Sequence, residues 1–272
     1  MSKLYVVGTP IGNLEDMSPR AKRILSEADF IAAEDTRVTL KLLNHFEIKA
    51  ELVSYYEHNK KEKGEYIIDR ILKGESCALV SDAGMPAISD PGEELVKMAR
   101  EKGVEVESVP GPSAVITALA ISGMESTRFC FEGFLPTVKK ERKERLSEIK
   151  CEKRTMIFYE APHKLLATLS DFAEIFGERK IAVCKELTKI HETVLWFTAG
   201  EAVEYYKNNP PKGEYVIIIS GIKEEIKHYS FEQAVELCRG LMEKGLSVSA
   251  AAKEAAAMSG IKKSDIYREM LK

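Results

Sequence analysis

Short acidic and hydroxyl side chains recur in this chain where an apolar run breaks into glycine and proline. The longest such place is Ser81-Asp82-Ala83-Gly84-Met85-Pro86-Ala87-Ile88-Ser89-Asp90-Pro91-Gly92. It holds two glycines and two prolines, follows the run Cys77 to Val80 and precedes a helical pattern from Glu93 to Glu101. Neither a strand nor a helix continues through that composition, so the stretch is a loop at a strand's carboxyl end. An ordinary strand-to-helix connection is shorter, and the crevice beyond the carboxyl ends of an open parallel sheet is where ligands sit. Gly8-Thr9-Pro10-Ile11-Gly12-Asn13, Ala33-Glu34-Asp35-Thr36-Arg37 and Pro110-Gly111-Pro112-Ser113-Ala114 share the style. Such loops let backbone N–H and C=O groups approach a small ligand closely, with Asp82 as an acceptor and Ser113 as a hydrogen-bonding hydroxyl. The same residues also have local uses: Asp82 bonding its own loop, Ser113 starting a helix, Asp35 and Thr36 capping one.

The usual handles of other chemistries are missing. Gly8-x-x-x-Gly12 lacks the second glycine of the dinucleotide fingerprint, and there is no Walker A sequence, no G-x-S-x-G elbow and no H-E-x-x-H. The histidines His45, His58, His163, His191 and His228 do not cluster. Five scattered cysteines, Cys77, Cys130, Cys151, Cys184 and Cys238, give no zinc spacing and fit a reducing cytoplasm. At 44% hydrophobic and 31% charged the chain reads as soluble and globular, with no apolar run of membrane-spanning length and no expected signal peptide. A net charge of −3 neither favours nor excludes a nucleic-acid partner. It conceals one local bias: Lys139-Lys140-Glu141-Arg142-Lys143-Glu144-Arg145 carries five basic and two acidic residues. That run is either a solvated helix face with i,i+4 pairs or a grip for phosphates.

The elements that must position these loops follow from periodicity. Strands are expected at Leu4 to Val7, Asp29 to Ala33, Leu52 to Tyr55, Cys77 to Val80 and Val104 to Val109, alternating with helices that start at Ser18-Pro19, Thr36, Lys60, Glu93 and Val115. This alternation argues for a parallel or mixed α/β sheet. Beyond Gly123 a second sheet of about five strands is expected: Phe129 to Phe134, Thr155 to Tyr159, Lys180 to Leu187, Val194 to Phe197 and Val216 to Ser220, with helices over Val138 to Lys150 and Pro162 to Phe176. The last stretch, from Ser230, shows only helices, two of them around Ser259-Gly260-Ile261 in the manner of a helix-turn-helix. The expected domains are therefore residues 1–123 and 124–226, both α/β, and a helical domain of residues 227–272 with a possible RNA-contacting role.

Seven motifs in order carry a resemblance. To the four loops above are added Phe-Glu-Gly-Phe-Leu-Pro (131–136), Tyr-Glu-Ala-Pro-His-Lys (159–164) and Lys-Glu-Leu-Thr-Lys (185–189). Together they resemble the tetrapyrrole-methylase-like S-adenosylmethionine (SAM) methyltransferases, and within these the members that act on small-subunit ribosomal RNA. The resemblance implies two α/β domains with SAM in the cleft between them, a homodimer, and 2′-O-methylation of a cytidine in small-subunit rRNA or the assembled subunit. It implies cofactor contacts from Pro10, Ile11 and Gly12; from Asp82, Ala83, Gly84, Met85 and Ile88; from Ser113 and Ala114; and from Tyr159, Leu187, Gly213 and Glu214.

A ribose 2′-hydroxyl is a poor nucleophile, so a base, or a cation beside the emerging alkoxide, would assist positioning. Lys185 and Glu186 are the catalytic candidates, with a strand-end ion pair as the plain alternative and Lys164 in reserve. A polyanionic acceptor also favours the phosphate reading of Lys139, Lys140, Arg142 and Arg145. Two rivals stay open: a precorrin-type tetrapyrrole methyltransferase, and a non-catalytic RNA-binding protein on the same fold.

Overall fold

A computed structural model describes residues 2–222 and 229–272, and the chain divides into two compact units after Ile222. The first unit is built on two sheets. Strands β1 (Leu4–Val7), β2 (Phe30–Ala33), β3 (Glu51–Ser54), β4 (Cys77–Val80) and β5 (Val106–Val109) pair in parallel in the order β3-β2-β4-β1-β5. Their connections include α1 (Pro19–Glu27), α2 (Thr36–His45), α3 (Lys60–Leu72) and α4 (Glu93–Glu101). Ala21, Ile24 and Leu25 of α1 and Leu43 of α2 pack on one face of the sheet; Ile67, Ile68 and Ile71 of α3 and Leu95 and Ala99 of α4 pack on the other. Every residue of β2 and β4 is buried, which is why Phe-Ile-Ala-Ala and Cys-Ala-Leu-Val read as unbroken apolar runs. Adjacent β1 and β4 send their helices, α1 and α4, to opposite faces. That divergence opens a crevice beyond their carboxyl ends, the usual ligand position in such sheets.

The second sheet is mixed, in the order β6-β7-β10-β8-β9. Here β6 (Phe129–Phe134) runs parallel to β7 (Thr155–Glu160), while β8 (Lys180–Lys185), β9 (Thr193–Thr198) and β10 (Tyr215–Ile219) join antiparallel. One face is covered by α5 (Ala114–Ser122), whose Val115, Ala118 and Leu119 pack on Ile157, Ala182, Val216 and Ile218. On the other face lie α6 (Lys139–Glu148), α7 (Pro162–Phe176) and α8 (Ala199–Asn208).

The fold class expected from the sequence, α/β with two sheets followed by helices, is what the structure has. Sequence periodicity missed α8. Only Ala199, Ala202 and Tyr206 of it are buried, too sparse a stripe to register, although a reciprocal capping box of Thr198 and Glu201 marks its start. Helix α5 lies N-terminal to the boundary expected at Gly123 yet packs on the second sheet, so a sequence cut at 123 does not separate the two layers. We retain 1–123, 124–226 and 227–272 as a proposed segmentation; its boundary at 226/227, and His228, lie outside the described residues.

In the smaller unit α9 (Phe231–Glu243), α10 (Val248–Ser259) and α11 (Lys263–Met270) enclose Ala234, Cys238, Ala251, Ala252, Ala255 and Ile266. The alanines let α9 and α10 pack closely, and Gly260 at φ 72° ends α10. Among the described residues no helix is long and apolar enough to cross a membrane.

Candidate functional site

Three loops at the carboxyl end of the first sheet are locked together backbone on backbone. The Gly8 N–H donates to the Val109 carbonyl at 3.0 Å, and Thr9 and Gly84 exchange N–H···O bonds at 2.9 and 3.1 Å. A methyl group at Gly8 would stand 2.7 Å from the Gly111 Cα and from the Met85 Sδ, so these loops approach too closely for any side chain there. Gly84, at φ 85°, faces Ile11, whose Cγ2 would lie 3.3 Å from a side chain at that position. The expected cofactor positions of loops 8–13, 81–88 and 110–114 thus converge through their backbones. Ser113 is the N-cap residue of α5 but makes no capping bond, which leaves its hydroxyl available.

Behind this wall the acidic residues sort by environment. Asp35 caps α2 through the Arg37 N–H at 2.8 Å. The Arg37 guanidinium, followed by that N–H, holds the Asp35 carboxyl down to about 2. Its capping use is therefore the one observed. Asp82 accepts from the Asp35 N–H at 3.1 Å, and its own N–H donates to Glu34 at 3.4 Å. Burial raises the Glu34 and Asp82 carboxyls above their ordinary values; the Asp82 and Asp35 charges add to the shift of Glu34, and the Asp35 charge to that of Asp82. Asp90 goes furthest, to about 6, first through burial and then through the neighbouring Glu34 and Asp82 charges. Sequence reading passed over Asp90 because the shift arises first from burial and then from Glu34, a carboxylate distant in sequence.

From the second sheet, Tyr159 projects to the same region. Its phenol is pushed up to about 12 by burial and then by the Asp90 charge. The rings of Phe131 and Phe134 meet it edge-on at 4.9 and 5.5 Å. Ile11, Ala114, Tyr159 and Leu187, expected from four separate motifs to line the cofactor, pack in one apolar cluster. Ile88 is half exposed and does not join that cluster.

The loop after β8 closes the other side of loop 8–13. A methyl group at Gly12 would lie 2.7 Å from the Lys189 Cγ and 2.9 Å from the Thr188 Oγ1. Glu186 accepts from the Glu214 N–H and from the Lys189 ammonium, both at 3.0 Å, and Lys189 also reaches Glu214 at 2.8 Å. Burial alone would raise the Glu186 carboxyl, but the Glu214 N–H and Lys189 outweigh it and hold it below its ordinary value. Gly213, at φ 83°, lies directly against the Glu186 carboxylate. Lys185 ends β8, half-buried, paired in register with Tyr215 and Thr193. Thr188 was not among the expected site residues, yet its hydroxyl oxygen is buried with no partner. Of five non-glycine residues with positive φ among the described residues, Ala87 and Ser89 lie in the central loop and Glu186 and Thr188 in this one. Such backbone strain concentrates at functional sites.

The basic run splits. Arg142 is nearly buried and bonds Asp171 and the Thr168 hydroxyl, which in turn donates to Glu160. Arg145 pairs with the almost fully buried Glu132 and with Glu148 at 3.0 Å. Both arginines, expected to hold phosphate, pair with carboxylates of β6, α6 and α7 and so help to fasten α6. Lys139 and Lys140 remain exposed; the nearest carboxylate to Lys140 is Glu144 at 3.9 Å. Among the described residues no group of His, Cys, Asp and Glu is arranged to hold a metal ion.

The family described as Tetrapyrrole (Corrin/Porphyrin) Methylases matches residues 3–203. A protein of Halalkalibacterium halodurans named Ribosomal RNA small subunit methyltransferase I is 48% identical over 268 residues, 97% of this chain and 93% of that one. A Thermotoga maritima protein of the same name is 46% identical over 221 residues, which is 99% of its own length and 81% of this chain. The structure of uroporphyrin-III C-methyltransferase from Thermus thermophilus complexed with S-adenyl homocysteine is similar at TM-score 0.57 and 17% identity, covering 80% of this chain and 97% of that one. That last likeness is one of fold.

Proposed function

The chain belongs to the tetrapyrrole methylase family, and from that footing we propose that it transfers the methyl group of SAM to the ribose 2′-hydroxyl of a cytidine in small-subunit ribosomal RNA. The observation that carries this reading is the 48% identity over 97% of the chain to a relative named for methylating that RNA. We include in the proposal a cytoplasmic location and a homodimer.

The residues present fit SAM. Close-packed loop backbone at Gly12 and Gly84, the unengaged Ser113 hydroxyl and the buried, unpartnered Thr188 hydroxyl form a cradle with hydrogen-bonding capacity left over. Pro10, Ile11, Gly12, Asp82, Ala83, Gly84, Met85, Ile88, Ser113, Ala114, Tyr159, Leu187, Gly213 and Glu214 would hold it, with Thr188 added. When bound, SAM supplies a methyl group on a positively charged sulfonium. The carboxylates of Asp82, Glu34 and Asp90 give the first-sheet side a negative field that suits a cation in a partly dry site.

For the acceptor, the chain's task is chiefly orientation. We assign Lys185 to stabilising the developing alkoxide as the oxygen takes the methyl group from the sulfonium and its proton passes to water. Glu186, with its carboxylate committed to Lys189 and the Glu214 N–H, holds the loop that presents Lys185. Lys139 and Lys140 would contact phosphates.

The test is transfer of label from radiolabelled SAM into small ribosomal subunits taken from cells that lack this gene. Label mapped to a 2′-O-methylcytidine is the expected result. Label only in a tetrapyrrole offered in parallel would overturn the acceptor, and SAM binding without any transfer would overturn the activity.

A further inference from the structure

A concavity opens beside loop 8–14, at the carboxyl ends of β1 and β4. It is a cavity of about 280 Å³ between that loop, helix α2 and the end of β4. Leu14, Val38 and Leu42 supply apolar walls, His45 and Lys41 stand on the α2 side, and Ser81 and Asp82 border it from β4. Leu14 and Val38 are exposed at 40% and 38%, so apolar surface is left open to solvent here. A second observation is independent of shape. Thr39 is 3% exposed, lines this cavity, and its Oγ1 has no hydrogen-bond partner. A buried hydroxyl left unpaired costs stability unless something else completes it.

We propose that this cavity receives an unstacked nucleobase of the RNA acceptor. The inference rests on the rRNA methyltransferase reading and extends it to a named subsite. The volume is close to the lower end of ordinary ligand pockets, about 300 to 1,000 Å³, and leaves room for a single base. The chemistry is that of single-stranded RNA recognition, in which a splayed base rests on apolar or ring surfaces and its edge is read by a few hydrogen bonds. Leu14, Val38, Leu42 and the His45 ring provide the surface. The Thr39 hydroxyl both donates and accepts, and the Asp82 carboxylate accepts from an exocyclic amino group. Exposed Lys41 provides a cation for an adjoining phosphate. Pro10, Gly12 and Asp82 border this cavity and also belong to the proposed cofactor contacts, so one loop wall serves both sites.

The experiment compares the full-length protein with Leu42→Trp, which fills the cavity, and Thr39→Val, which keeps the shape and removes the hydroxyl. Three quantities are read: SAM affinity by calorimetry, methyl transfer to unmodified small subunits, and affinity for a cytidine-containing hexaribonucleotide by fluorescence anisotropy. The expected result is SAM affinity within twofold of the parent for both variants. Transfer and oligonucleotide affinity should fall at least tenfold in Leu42→Trp and three- to tenfold in Thr39→Val. Parent-like transfer and oligonucleotide binding in Leu42→Trp would overturn the subsite while leaving the activity standing. A loss confined to SAM affinity would return the cavity to the cofactor. If the parent protein methylates no subunit but Leu42→Trp still abolishes oligonucleotide binding, the activity fails and the nucleobase subsite stands.

Discussion

The two sheets of the larger unit build their loop ends by opposite means. On the first sheet, loops 8–13, 81–88 and 110–114 are pinned by backbone bonds and by contacts that only glycine permits, Gly8 against Gly111 above all. On the second, the β8 loop and the turn at Gly213 share one backbone bond, from the Glu186 N–H to the Glu214 carbonyl at 3.0 Å, and are otherwise tied by charge: Glu186, Lys189 and Glu214. Backbone pinning is rigid and insensitive to salt. A partly exposed charge cluster is worth little net stability and weakens with ionic strength. The first-sheet loops should therefore be the more rigid side of the proposed site and the second-sheet loops the more adjustable one.

The contrast is broken most directly at Gly8. Gly8→Val puts carbon atoms where the Gly111 backbone and the Met85 sulfur already are. Overpacking of backbone against backbone costs roughly 1–3 kcal/mol or more. We expect a fall in denaturation midpoint together with loss of SAM binding beyond detection by calorimetry. SAM affinity close to the parent's would show that the wall is not part of the cofactor site.

Next in size is Arg142, on the second-sheet side but bonded as tightly as anything on the first. Removing it leaves Asp171 and the Thr168–Glu160 pair without their cation, and Arg142→Ala should cost roughly 2–3 kcal/mol in urea unfolding. The double variant Lys139→Ala, Lys140→Ala should stay within about 0.5 kcal/mol of the parent. That double variant should instead lower RNA affinity and flatten its dependence on salt by about one to two units of log–log slope. An unchanged salt slope would remove α6 from the RNA-binding surface.

This division of the basic run marks where sequence reading stops. Strand ends, the long central loop and the two-sheet plan were legible because they depend on local punctuation: apolar runs ended by glycine and proline at Gly8, Gly84 and Gly111. The fate of Arg142 depends on Asp171, a residue 29 positions away on another helix, and no i,i+4 rule reaches it. Asp90 likewise owes its environment first to burial and then to Glu34 from another loop. Helix α8 was missed for a different reason: with three buried residues it has almost no stripe, and the Thr198–Glu201 capping box was its only clear signal. Thr39 and Thr188 look like ordinary threonines until burial shows their oxygens unpaired.

A smaller effect belongs to Asp90, on the first-sheet side. Its carboxyl is raised from 3.8 to about 6 in the folded protein. Between those two values the folded state holds a proton that the unfolded chain has released, so this group makes stability fall as pH rises through that window. Above it the folded protein carries a buried charge at full cost. Asp90→Asn should therefore raise stability at pH 7.5 by roughly 1 kcal/mol, allowing for solvent screening, and by almost nothing at pH 4. Equal effects at both pH values in thermal unfolding would mean that desolvation of the charge is not what the substitution relieves.

The smallest expected effect tests the adjustable side itself. In Glu186→Gln the amide oxygen still accepts from the Glu214 N–H, while the charge attraction to Lys189 and, more weakly, to Lys185 is lost. Stability should change by less than about 1 kcal/mol, and that difference should vanish in high salt. Methyl transfer should persist within a few-fold, because on our assignment Glu186 holds a loop and Lys185 meets the acceptor. Lys185→Met, which keeps length and apolar stem but removes the cation, should lower kcat a hundredfold or more with SAM affinity preserved. If Glu186→Gln instead abolishes turnover while Lys185→Met is mild, the roles are exchanged: the carboxylate is then the base, and its pairing with Lys189 must open during the reaction.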